Sequence, residues 1–298
     1  MAALVTAWWL ASPYRGLARV TLLLLALALW PIHYSLALGQ PIPEILALLA
    51  GAWWLMRHDR PILAGLLLAL ATALKPQDVI LVPLALLFVR RPRVFVAWAA
   101  GCAVLALAFA VSLGTSGLRD FWNTTAEVEG DPWHHYWTWA FFAGPGLPAQ
   151  ILEGGSAVAA LAVAWRKRAD LELVIAAALI GSVLSAIHAH ETDAAMYVLA
   201  AWLLLRSNIA LAPRLWLLPG IAALQATAIG LVWPVFLWAV IWLVLIGQAG
   251  FSARQSTETP NGRSARATIA DSEPKTAPST ALSGPGAGKL KSDSVERA

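Results

Sequence analysis

A handful of short stretches carry the residue types that could do chemistry. Lys75-Pro76-Gln77-Asp78 interrupts an apolar run, and a lysine and an acid at the edge of a bilayer need a reason to be there. The bland reading is a snorkelling helix end, with Asp78 capping the next helix or pairing with Lys75. The sharper one is an ammonium turned away from its own helix, because Pro76 disfavours helix at Lys75. His188-Ala189-His190-Glu191-Thr192-Asp193 is the densest ionisable cluster in the chain. Imidazoles and carboxylates side by side suit proton transfer, and partial burial can tune them for it. They lack the His-Glu-x-x-His spacing of a helical zinc site, and Cys102 is the only cysteine, so neither a metal nor a cofactor is assigned. Gln40 lies between Gly39 and Pro41, where its amide is either simply solvated or free to donate and accept hydrogen bonds. His134 and His135 stand among Trp133, Tyr136, Trp137 and Trp139, aromatic residues that favour the headgroup level of a membrane.

The elements that must position these groups are membrane helices. Hydrophobic residues make up 59% of 298 positions and charged residues 13%, with a mean hydropathy of +0.67; that composition predicts an all-α polytopic membrane protein in contact with lipid throughout. The net charge is +4, but the arginines recur in short clusters between apolar runs, so nucleic-acid binding is not indicated. The apolar runs predict about ten spans, at 20–38, 41–56, 61–75, 77–89, 94–113, 149–165, 171–187, 194–206, 212–228 and 231–247. Residues 1–11 would make a helix of only ~16 Å, about half the hydrocarbon core, and are read as the end of an upstream helix. Residues 12–247 form the polytopic domain. From 248 to 298 the composition turns to Ser, Thr, Pro, Gly, Ala and mixed charge, which predicts a disordered tail.

Arg15/Arg19, Arg57/Arg60, Arg90/Arg91/Arg93, Arg166/Lys167/Arg168 and Arg206/Arg214 fall at every second turn, which predicts that those turns are cytoplasmic. The alternate turns are then extracytoplasmic. They hold Gln40, Lys75 to Asp78, the long segment 114–148 and His188 to Asp193, so the polar chemistry gathers at one face. Segment 114–148 reads as a loop, acidic first and aromatic second, its second half lying along the membrane surface.

Gly39-Gln40, Ala64-Gly65 with Ala69 to Ala73, Lys75-Pro76-Gln77, Arg90-Arg91-Pro92-Arg93 and Pro132-Trp133-His134-His135 resemble, in their order and common sidedness, the pattern of glycosyltransferase family 87. The resemblance is strongest from Leu36 to Arg93, extends to about Arg206 and does not cover the tail. It implies a GT-C-like fold and transfer of a hexose, typically mannose, from a polyprenyl-phosphate donor to a glycolipid or glycan acceptor of the envelope, outside the plasma membrane. Lys75, Gln40, Gln77, His134, His135, His188 and His190 would then contact the donor phosphate or sugar. The family's usual catalytic aspartate lies in a first outer loop that has no counterpart here, so Asp193 and Glu191 are the candidate bases and an incomplete enzyme is one expectation. A flippase for a lipid-linked sugar and a noncatalytic membrane subunit are the alternatives; the first is disfavoured by the absence of an internal repeat and by polar residues gathered at one face, not at mid-depth.

Overall fold

The computed structural model describes residues 1–129 and 136–250, with the side chains of residues 128 and 129 excepted. In chain order the helices are α1 (Ala2–Ala11), α2 (Gly16–Ala28), α3 (Trp30–Leu38), α4 (Ile42–Arg57), α5 (Pro61–Leu74), α6 (Pro76–Val79), α7 (Leu81–Leu86), α8 (Pro92–Glu129), α9 (Trp139–Ala143), α10 (Leu147–Arg166), α11 (Leu171–Leu184), α12 (Met196–Arg206), α13 (Leu211–Leu215), α14 (Leu217–Ala226) and α15 (Trp233–Gln248). Short 3₁₀ turns occupy Glu191–Ala195 and Thr227–Ile229. The all-α expectation holds, with no strand among the described residues.

The helix lengths do not show about ten spans. Among the described residues two helices are long and apolar enough to cross a membrane, Pro92–Glu127 and Leu147–Arg166, or three if α2 and α3, bent by 65° at Leu29, make one span. Every stretch expected to span is helical over most of its length, but the helices are short: α5 and α11 have 14 residues and α15 has 16, against the ~20 a perpendicular crossing needs. A correction concerns 114–129. This stretch is not a loop; α8 runs through it, kinked where Gly114 takes φ 63°. The expected tail lies outside the described residues from residue 251 onward.

Helix α11 is the centre of the bundle. All of its residues are buried, as an apolar surface on every side requires, and α7, α10, α12 and α15 pack around it. α5 lies against α4 on one side and α8 on the other. Gly65 permits the second contact, since a Cβ there would stand 2.5 Å from the Val94 carbonyl oxygen and 2.6 Å from the Ala97 Cβ; small residues let apolar helices close to backbone contact where no hydrophobic drive separates them from lipid. The α2–α3 break frees two backbone groups, and one side chain satisfies both. The Gln225 Oε1 accepts from the Trp30 amide at 2.8 Å, and its Nε2 donates to the Ala28 carbonyl at 2.8 Å. That bridge sets the angle at which α3 approaches the Glu191–Ala195 turn, its neighbour in the fold.

Candidate functional site

Lys75 sits where the sequence places a break. Its backbone is extended (φ −158°, ψ 90°) between the end of α5 and the start of α6, as the following proline dictates. The side chain turns inward and donates to Asp193 Oδ1, with Asp78 Oδ2 at 3.9 Å. All three residues are buried. Lys75 therefore lines neither of the cavities described below, and its charge is engaged by carboxylates. Asp78 caps nothing; neither of its oxygens accepts a hydrogen bond, which leaves the ion pair with Lys75 as its compensation.

Asp193 is the anchor of the turn that carries the histidines. His190 is extended and opens the 3₁₀ turn through a capping box: Asp193 Oδ2 accepts from the His190 amide at 3.0 Å while the His190 side chain accepts from the amide of Asp193. Thr192 Oγ1 adds a donor to Asp193 Oδ1 at 3.4 Å. Asp193 is fully buried, with both oxygens accepting hydrogen bonds. Glu191 is different: half-buried, it faces a cavity of about 430 Å³ together with Gln40, His190, Tyr34, Tyr136 and Trp137. Burial raises the pKa of its carboxyl above the ordinary glutamate value.

A second cavity, about 500 Å³, opens on the other side of the same segment, where Gln77 and His188 join Ile80, Ile187 and Thr125 of α8. The rings of His188 and His190 are edge to face with centroids 4.9 Å apart, so the histidine pair links the two cavities. The structure thus brings together Gln40 with Glu191 and His190, and Gln77 with His188; His134 and His135 lie outside the described residues. No group of three or more His, Cys, Asp or Glu among the described residues is placed to hold a metal ion.

Two participants escaped the sequence reading. Trp30 and Tyr34 stack on α3, centroids 5.1 Å apart and planes 13° from parallel, and present a flat aromatic wall beside Glu191. Their i, i+4 spacing was the available signal, masked because both read as ordinary apolar positions of one span. Tyr136, noticed only as an interface aromatic, donates its hydroxyl to the Gly230 carbonyl at 2.7 Å and so ties the segment after residue 135 to the turn before α15.

The model of glycosyltransferase family 87 matches residues 1–189, well over half of the chain. The chain belongs to glycosyltransferase family 87. No curated protein and no solved structure matches it. Family membership carries a sugar donor, an acceptor and glycosyl transfer between them, and the apolar helices fit the membrane setting of this glycosyltransferase. The family match reaches the start of the histidine segment, while Glu191 and Asp193 fall just beyond it.

Proposed function

We propose that this family 87 glycosyltransferase moves a hexose, mannose in the first instance, from a polyprenyl-phosphate donor to a glycolipid or glycan acceptor on the extracytoplasmic side. Transfer breaks the bond between the anomeric carbon and a phosphate oxygen as the acceptor hydroxyl oxygen bonds to that carbon. The bonding pair leaves on the phosphate, already an anion, so no general acid is required. The acceptor proton needs a base. One observation carries the assignment: Glu191 lines a cavity walled by Tyr34 and Trp137 and supplied with amide and imidazole groups by Gln40 and His190.

In this reading Glu191 takes the acceptor proton. Aromatic faces offer flat apolar platforms for the sugar ring. Gln40, Gln77, His188 and His190 hold donors toward the carrier phosphate, and the more apolar cavity beside α8 takes the start of the polyprenyl chain. Lys75 acts at one remove, pinning Asp193 and with it the turn that carries Glu191. The extracytoplasmic placement rests on the alternation of basic turns.

The test is reconstituted full chain with a polyprenyl-phosphate mannose donor and a panel of lipid acceptors. Glu191→Gln is expected to lower turnover by about 10²–10⁴-fold with donor binding retained, the usual contribution of a positioned base. Turnover equal to that of the unaltered protein would remove Glu191 from the role.

A further inference from the structure

At the end of the bundle opposite the histidine segment, three arginines from three separate helix ends and turns meet at one cavity of about 310 Å³: Arg57 at the end of α4, Arg91 between α7 and α8, and Arg168 between α10 and α11. A preference for basic residues on one side of a membrane explains arginines in each turn, but it does not require them to converge. The two carboxylates in the same cavity are already engaged. Asp170 accepts from the Leu173 amide at 3.0 Å as the cap of α11, and Glu172 Oε1 accepts from the Trp53 indole at 3.3 Å and pairs with Arg57 Nε at 3.8 Å. Among the described residues the two terminal nitrogens of Arg57 have no partner, on a side chain 57% exposed. Arg168 donates to the Trp165 carbonyl at 3.2 Å with its guanidinium over the Trp165 ring.

A second observation points to the same place. The positive-φ residues other than glycine, among those described, are Asp59 and Arg90, both at φ 54°, and they lie in the two turns that deliver Arg57 and Arg91. Each turn closes a helix through a left-handed residue, with the Arg60 amide on the Leu55 carbonyl at 2.9 Å and the Arg91 amide on the Leu86 carbonyl at 3.4 Å. Glycine is the relaxed choice there. A charged residue in that conformation is uncommon, aspartate tolerating it better than arginine.

We propose that this cavity binds a phosphate group, with guanidinium forks from Arg57 and Arg168 as its main donors. The planar fork matches phosphate oxygens in pairs, and basic pockets between helices at a membrane edge take lipid headgroups. The phosphate comes either from an anionic lipid or from solution. The site is remote from the histidine segment and independent of the transfer reaction proposed above.

The experiment uses the full chain in nanodiscs or detergent, comparing phosphatidylglycerol, phosphatidylcholine and inorganic phosphate by native mass spectrometry and thermal stabilisation. Arg168→Gln and the pair Arg57→Gln with Arg168→Gln are set against Arg15→Gln, an exposed arginine that does not line the cavity. Phosphatidylglycerol is expected to stay bound to the unaltered protein and to Arg15→Gln, and to bind about tenfold more weakly to Arg168→Gln, the change that loss of one charge-assisted hydrogen bond brings. Among the described residues the Arg168 side chain bonds only to Trp165 beside its own turn, so this variant reports on the site even if the double variant fails to fold. Retention of phosphatidylglycerol alone identifies a lipid site, and stabilisation by inorganic phosphate alone identifies a soluble ligand. Equal binding by Arg168→Gln and Arg15→Gln, or no preference for anionic over zwitterionic lipid, overturns the proposal.

Discussion

A carboxylate serves as a base only when ionised, so the environment of Glu191 predicts a pH profile. Burial raises its pKa; activity is therefore lost as pH falls through a limb lying above the ordinary glutamate value. Glu191→Gln removes the titrating group and is expected to leave its residual activity without that limb. A pH–rate profile of the two proteins checks this, and an unmoved limb would detach Glu191 from the titration. Gln40→Leu, which removes an amide from the cavity without disturbing the capping box, is expected to raise KM for the donor more than it lowers kcat, as loss of a binding contact does.

The Lys75–Asp193 pair works on an element, the turn from His190 to Ala195. A buried ammonium between two carboxylates is costly to break from one side, because what remains is an uncompensated charge. Lys75→Met leaves Asp78 and Asp193 facing each other and is expected to destabilise the protein by ~3–5 kcal/mol. Asp193→Asn leaves Lys75 with Asp78 still 3.9 Å away and should cost less. Denaturation in detergent gives the order, and the reverse order would mean that Asp78 carries no charge for the pair. Lys75→Met is also expected to lower turnover, since the capping box that orients Glu191 loses its anchor.

For the molecule as a whole, the two ends of the bundle have different chemistry. Gln40, Gln77, Glu191 and the histidines gather at one, and Arg57, Arg91 and Arg168 at the other. If the basic end faces the cytoplasm, single cysteines in a Cys102→Ala background give a clear readout. Asn123→Cys, exposed on the far half of α8, is expected to react with an impermeant thiol reagent added outside intact cells, and Asp59→Cys, exposed after α4, only after permeabilisation. Labelling of Asp59→Cys in intact cells would invert the map and move the transfer site to the other side.

Composition and alternation determined the class, an all-α apolar bundle with polar turns, because those features depend on each residue's own transfer free energy and not on its neighbours in space. The break at Lys75 was equally local, fixed by the ring of Pro76. The family pattern around Gln40, Lys75 and Gln77 was legible for the same reason, as short runs in order. What the tertiary structure decided was which groups meet. Asp193 and Glu191 are two residues apart and chemically alike, yet one turns inward to Lys75 and the His190 amide while the other faces a cavity. No property of either side chain distinguishes them in the sequence; the distinction comes from Lys75, 118 positions away. The break between α2 and α3 at Leu29 was local as well, just ahead of Pro31, with Gln225, nearly 200 residues on, partnering the groups it frees; that α11 would be the helix buried on every side was decided by packing. Burial of that kind is a sum over distant neighbours, and a linear pattern cannot contain it.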